Sequence, residues 1–361
     1  MLVREADTAE RERWNTFVAD SPVGHIYQTW EWADLECERG WTLTRLVCEH
    51  QSTWQAVCCV QERRVPLLSR PVLYVRRGPV WAGGAELALR DVARALADIA
   101  RARHAVFARI SPSIADGGPA RSLLEEAGYA RAHWQVLHGA TQLVDLQHDD
   151  ESLLAQMETR TRSAIRKAGR SGVAVQSGTD AQSLGVFYRL YSELAARRHF
   201  RPEPLRYFTA VLEHLQATSG ACVFVATLDG TALSAAFVLR FGHNCWYRWG
   251  ASSTQRRQVN ASEALQWGIM RWARDGGCRT YDLWGVFPRV ARSHPYWGIH
   301  LFKRGFGGRT VDLIGEWDCV CDPLWYRLHN MLLPLYLRWH NGTRLDLAAP
   351  LPRQAETHGR Q

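Results

Sequence analysis

Three observations predict an α/β (α+β) fold of two domains with mixed sheets. Apolar runs of strand length alternate with runs of helical period along most of the chain. The element order read in residues 1–145 recurs over 146–319 without any repeat in the sequence itself. A chain of 361 residues is long enough for about two domains, each with its own core.

The first half reads as β-β-β-α-β-α after a helical entry. Residues 11–19 have helical character and stop at the loop Ser21-Pro22-Val23-Gly24. QTWEWADLECERGW (28–41) places Trp32 and Leu35 on one helical face. LTRLVCEH (43–50), STWQAVCCVQER (52–63) and PVLYVRRGPV (71–80) read as strands. ELALRDVARALADIARARH (86–104) is an amphipathic helix, AVFARISP (105–112) a buried strand, and RSLLEEAGYA (121–130) a short helix ending at Gly128.

The second half follows the same order. DDESLLAQMETRTRSAIRKAGRSG (149–172) reads as one helix stopped by Gly169 and Gly172, and LGVFYRLYSELAARRHF (184–200) as another. Residues 222–252 hold three strands with turns at Asp229-Gly230 and Gly242-His243-Asn244. EALQWGIMRWARDGG (263–277) is helical, TYDLWGV (280–286) a strand, and TVDLIGEWDCV (310–320) one further strand. Within 320–342, the run LWYRLHNMLLPLYLRW (324–339) is a closing helix that can return to the first domain. Residues 343–361 read as a loose tail.

Hydrophobic residues make up 46% of the chain and charged residues 22%, as in an ordinary globular protein. No apolar run reaches the ~18 residues of a membrane span, and the start, MLVREADTAERERW, lacks an apolar leader core, so a cytoplasmic protein is expected. The nine cysteines include no C-x-x-C pair and read as reduced core thiols rather than a metal site. The net charge of +8 is uneven: 17 arginines against 20 acids give −3 over residues 1–150, and the remainder carries +11. An anionic partner for the second half follows, unless the excess serves only solubility. Of 44 basic residues only Lys167 and Lys303 are lysines. Where lysine survives such arginine bias, an ammonium has a use that a guanidinium does not serve.

No phosphate-binding P-loop, zinc-protease helix or serine elbow is present. HPYWGIHLFKRGFGG (294–308) sets Lys303 and Arg304 between Phe302 and Phe306, ahead of three glycines in four positions. A partly dry ammonium there can stabilise an oxyanion; a basic β-bulge with a structural glycine turn reads equally well. METRTRSAIRKAGRSG (157–172) aligns Arg162, Arg166, Lys167 and Arg170 at helical spacings, either a track for a phosphodiester backbone or a solvated face.

Together the motifs resemble the FemABX family of aminoacyl-tRNA-dependent peptidyltransferases. The resemblance spans about residues 20–328 and is carried by YQTWEW (27–32), RSAIRKA (162–168), RRHF (197–200), YRWGAS (247–252), WGIMRWA (267–273), YDLWG (281–285) and FKRGFGG (302–308). No insertion separates the helices of 151–200, so the chain is similar to the FemX type without a coiled-coil arm.

The resemblance implies two GNAT-like domains with a chain return to the first. It implies transfer of an amino acid from aminoacyl-tRNA to an amine of a peptide acceptor, usually the peptidoglycan precursor stem, without cofactor, metal or DNA. It assigns Lys303 as the catalytic cation with Phe302 beside it, and Arg304 with the 162–170 stripe to the tRNA. It places Gln28, Trp32, Arg198, Tyr247 and Trp249 in the acceptor site. No carboxylate stands out as a general base; Asp282 and Glu316 read equally as structural, and the proton can leave through the tRNA.

The sequence departs from the family pattern twice. Where members carry a phosphate-binding lysine, this chain has the acidic stretch Asp34-Leu35-Glu36-Cys37-Glu38, and Ser111-Pro112 replaces Asp-Pro. The acidic stretch is expected to repel a diphosphate, which makes a nucleotide-linked muropeptide a poor acceptor and keeps a peptide natural product open. Two rivals remain. An acyl-CoA-dependent GNAT enzyme would need a glycine where Val259 stands in Arg256-Arg257-Gln258-Val259-Asn260-Ala261. The basic half and the Trp-rich closing helix would also suit an RNA- or membrane-binding module, so a peripheral membrane contact stays open.

Overall fold

The computed structural model describes residues 1–64, 70–218 and 220–341. In chain order, the first part contains β1 (Leu2–Glu5), α1 (Arg11–Asp20), α2 (Trp30–Glu38), β2 (Thr42–His50), β3 (Thr53–Arg64), β4 (Pro71–Arg76), β5 (Val80–Trp81), α3 (Ala88–Ala102), β6 (Phe107–Ser111), α4 (Ala120–Glu126) and β7 (Ala130–Arg131). The second part runs β8 (Ala140–Asp145), α5 (Asp150–Gln156), α6 (Thr159–Arg170), β9 (Ala174–Gly178), α7 (Ala181–Arg198), α8 (Leu205–His214), β10 (Ala221–Leu228), β11 (Thr231–Phe241), β12 (Asn244–Ser252), α9 (Ala261–Asp275), β13 (Thr280–Gly285), α10 (Trp297–Arg304) and β14 (Arg309–Asp312). The chain ends on β15 (Trp317–Val320) and α11 (Pro323–Asn341).

Local chemistry accounts for the helices. In α3, Leu89, Val92, Ala93, Leu96, Ala97 and Ala100 fall on one buried stripe. Thr29 caps α2 by accepting the amide of Trp32, and Asp180 caps α7 by accepting that of Ser183. The single helix expected over 149–172 is two, because Met157 and Glu158 are extended and the Glu158 amide bonds to the Gly305 carbonyl. Helix α8 is an addition to the elements expected from periodicity.

The strands form two mixed sheets, in the orders β1-β2-β3-β4-β6-β15-β7 with β5 on β3, and β14-β8-β13-β12-β11-β10-β9. Among the described residues, only β4–β6 and β12–β13 pair in parallel. The boundary read at residue 145 does not match sheet membership. Strand β8 pairs with β13 and β14 in the second sheet. TVDLIGEWDCV is two strands in different sheets: Arg309–Asp312 lies at the edge of the second, whereas Trp317–Val320 enters the first between β6 and β7. Residues far apart in the chain select these partners, so local patterning does not reveal the crossing.

The return is locked by buried charge. Arg109 Nε and Nη2 donate to the two oxygens of Asp318 at 2.7 Å each, and Arg109 Nη1 lies 3.7 Å from Glu316. Glu316 also accepts from the Tyr74 hydroxyl and from the backbone amides of Val136 and Leu137, while Tyr326 on α11 donates to Asp318 at 2.7 Å. Helix α11 then packs Trp325, Tyr326 and Leu332 against Val72, Val106 and Phe107 of the first domain. The tail 343–361 lies outside the described residues.

A third apolar cluster joins the domains: Ile26, Tyr27, Trp32 and Leu35 meet Phe187, Phe208, Phe237, Trp246, Trp249 and Trp284. Asp318→Asn should remove one side of a buried ion pair and cost about 3–5 kcal/mol, read as a lower urea midpoint; a loss under ~1 kcal/mol would show that the pair does not hold the return.

Candidate active site

Strands β12 and β13 pair only from Asn244↔Thr280 to Trp246↔Asp282 and then part. The opening is a cleft of about 780 Å³, with Tyr247 to Ser253 on one wall, Trp284, Gly285 and Phe287 on the other, and α7, α10 and the start of α9 around it. Lys303 closes the floor. The segment 294–308 is no β-bulge: residues 297–304 form α10, so Lys303 stands in the last turn of a helix that Gly305 ends. Its ammonium donates to the Gly285 carbonyl at 2.7 Å and lies 6.0 Å from the Tyr247 ring centroid. Only 8% exposed, Lys303 is pushed down to about 7 by burial and further by Arg248, against the pull of Asp282. Phe302 lines the cleft and meets Phe306 edge-on at 5.1 Å.

Asp282 lies behind the floor. Burial raises its pKa, while bonds from the Thr141 hydroxyl and the Trp284 amide (2.7 Å) and the nearby Arg77 and Lys303 oppose the rise. The amide bond holds Trp284 at φ +65°, in the left-handed region that bulky residues rarely adopt. Its indole faces two guanidinium groups, Arg248 at 4.8 Å and Arg77 at 5.4 Å. His138, which sequence reasoning missed, lies over Gly285: a Cβ there would come within 2.2 Å of the imidazole. Burial, then Lys303, Arg77 and Arg248, lower the His138 pKa to about 3, so the ring is neutral at ordinary pH. Its linker carries no catalytic pattern, and only the fold brings it to the cleft.

The expected acceptor residues separate into two groups. Arg198, Tyr247 and Trp249 line the cleft. Burial raises the Tyr247 hydroxyl to about 12, so it stays protonated, and Trp249 packs edge-on against Phe237 and Phe208. Gln28 and Trp32 lie elsewhere, each 1% exposed. The Gln28 amide is consumed by the fold, donating to the Arg76 carbonyl at 2.7 Å and accepting the Cys59 amide at 2.8 Å. Trp32 stacks on Tyr27 at 4.4 Å within the inter-domain cluster.

The stripe also divides. Arg162 turns back to the carbonyls of Ala155 (3.1 Å) and Met157, capping the end of α5. Arg166, Lys167 and Arg170 are exposed on α6 and make no ion pair among the described residues. Arg304 is exposed and paired with Glu158 at 3.1 Å.

The acidic stretch on α2 is not the repulsive patch expected from sequence. Asp34 pairs with Arg45, Glu36 with Arg39 (3.4 Å) and Arg76 (3.9 Å), and Glu38 with His214 (2.9 Å). Glu36 is itself 1% exposed. Asp34 and Glu36 are thus paired with arginines, and Glu38 with an imidazole nitrogen. Ser111 is buried, donating to the Val75 carbonyl and accepting the Arg77 amide, both at 3.2 Å. Val259 does not obstruct the cleft either, because its side chain packs among Leu265, Ile269 and Met270 in the apolar core of the second domain.

Two packed α/β domains with a cleft at a strand splay form a tandem GNAT-like fold, and a profile described as an acetyltransferase (GNAT) domain matches residues 155–294. A FemAB family profile matches residues 9–116. Lipid II:glycine glycyltransferase of Staphylococcus aureus is 22% identical over 395 aligned positions, covering 89% of this chain and 94% of the relative. The crystal structure of FemX superposes with a TM-score of 0.83 at 22% identity, over 91% of this chain and 99% of that one. The L-PGS structure from Bacillus licheniformis gives 0.55 at 13% identity, over 91% and 98%.

Because the folded-state pKa of Lys303 lies below its ordinary 10.5, burial of the ammonium opposes folding in full below about pH 7. That opposition fades as pH rises from about 7 towards 10.5. Lys303→Met should therefore be more stable than the parent at about pH 6, with the gap shrinking by about pH 10; a gap independent of pH in denaturant titrations would contradict this burial cost.

Proposed function

We propose that this protein moves an aminoacyl group from aminoacyl-tRNA to an amine of a peptide, as in building a cross-bridge on a peptidoglycan precursor. The observation that carries the reading is the buried Lys303 ammonium, anchored on Gly285 at the floor of the cleft. The relatives named lipid II:glycine glycyltransferase support the transfer class and a cell-wall acceptor.

The chemistry follows from charge. The acceptor amine, once neutral, attacks the ester carbonyl; a C–N bond forms and the C–O bond to the ribose breaks. The amine loses a proton and the ribose oxygen gains one. Negative charge on the tetrahedral oxygen is offset by Lys303, in a site dry enough to strengthen that attraction. Phe302, which lines the cleft, limits water at the ester. Arg198, Tyr247 and Trp249 serve as acceptor walls. On α6, Arg166, Lys167 and Arg170 meet the phosphates, joined by Arg304 where its pair with Glu158 opens. With the acids of α2 paired, a nucleotide-linked precursor is no longer disfavoured. Leu324, Leu328, Met331 and Leu335, exposed along one face of α11, support contact with a membrane surface.

The decisive assay supplies charged total tRNA, or acyl-CoA, with muropeptide or plain peptide acceptors. Transfer from tRNA alone is expected; transfer from acyl-CoA alone would replace this reading with a GNAT N-acyltransferase.

Lys303→Met should lower turnover by ~10²–10³, with little rescue by Lys303→Arg; near-normal turnover would remove the cation from the mechanism. Replacing Arg166, Lys167 and Arg170 together should flatten the salt dependence of tRNA binding by about 0.7–0.9 for each phosphate that is no longer neutralised. Arg162→Ala should leave that slope alone and lower stability instead, since its bonds close α5.

A further inference from the structure

We propose that Arg248 is a fixed fork that grips a carboxylate of the acceptor peptide at the cleft floor, an assignment resting on the peptide-acceptor reading above. Arg248 Nε donates to the Tyr27 hydroxyl at 2.7 Å across the domain junction. Its guanidinium carbon lies 4.2 Å from the Trp249 ring and 4.8 Å from that of Trp284. One end of the guanidinium and its π surface are thereby committed. Its two terminal nitrogens make no hydrogen bond or ion pair among the described residues, and Arg248 lines the cleft.

The surrounding charges are unbalanced. Arg39, Arg45, Arg76 and Arg109 each have a carboxylate partner. Arg77, on the same Trp284 indole, has none among the described residues, and Lys303 is already engaged by a carbonyl. Against these three cations stand two buried carboxylates: Asp282, already bonded to Thr141 and the Trp284 amide, and Glu316, which acts on Arg77 but is held by Tyr74 and the Val136 and Leu137 amides; Glu263 lines the cleft at the start of α9. The left-handed backbone of Trp284 is strained, and such strain is retained where the indole plane has a use. Here the indole holds two guanidinium groups in place.

A planar fork with free parallel N–H bonds matches the two oxygens of a carboxylate. The donor's α-carboxyl cannot supply that carboxylate, since in an aminoacyl ester it is esterified and the adjacent ammonium is repelled by the same cations; binding measured without donor separates an acceptor carboxylate from an acidic donor side chain. The assignment places the anion on the acceptor.

The test is calorimetric, without donor, using a muropeptide stem with free carboxylates, the same stem fully amidated, and the amidated stem linked to a nucleoside diphosphate. The parent protein should prefer the acid form over the amide on the order of tenfold or more. Arg248→Gln should abolish the preference, with acid and amide then binding alike. Arg248→Lys, which keeps the charge without the fork and guards against misfolding, should restore it in part. Equal binding of acid and amide by the parent, or a preference surviving in folded Arg248→Gln, would overturn the assignment. So would recovery of the lost affinity by the nucleotide-linked amide, which would make the anion a phosphate. If these results hold while no aminoacyl-tRNA serves as donor, the transfer reading fails and the carboxylate fork stands.

Discussion

The buried cluster of Arg109, Glu316 and Asp318 is the constraint on which the site depends. It draws the chain leaving the second sheet back into the first, where β15 fills the place between β6 and β7. Two carboxylates against one arginine would be costly in a dry interior. The hydroxyls of Tyr74 and Tyr326 and the amides of Val136 and Leu137 supply the remaining donors. Those two amides belong to the linker that carries His138 over Gly285, and Gly285 anchors Lys303. A charge cluster in the first domain thus sets the geometry of a cleft in the second.

Within the cleft, desolvation and mutual repulsion act together. Lys303, Arg77 and Arg248 each hold the His138 ring neutral, and burial with Arg248 keeps the Lys303 ammonium easy to deprotonate. A cation in that condition gains more from a nearby developing oxyanion than a hydrated one does, because little water competes for it. The aromatic cluster at the junction contributes in a second way: Tyr27 and Trp32, part of the first domain, support the wall from which Arg248 points. The residues expected to touch the acceptor thus serve partly by holding the residues that line the cleft.

The resemblance was legible in short motifs, and the matched profiles and relatives uphold it. Lys303 was legible because lysine is scarce and the aromatic-glycine context around it is unusual. The helical stripe was legible from spacing, except that spacing does not show whether an arginine points to solvent or, as Arg162 does, back to its own chain. Gln28 and Trp32 fall inside a motif yet lie in the interior. A motif is retained for folding as readily as for binding, and only burial separates the two.

By itself the sequence determined the alternation of strands and helices, the mixed α/β class and the basic second half, since these follow from local periodicity and composition. Tertiary structure alone decided that TVDLIGEWDCV divides between two sheets, that Asp34, Glu36 and Glu38 each have a basic partner, and that His138, Arg248 and Trp284 meet at Lys303. Each of these depends on a partner distant in the chain or on another turn, such as Arg109 for Asp318 or Tyr27 for Arg248. Charge is legible in a sequence, but its screening, pairing and burial are set by neighbours that folding selects.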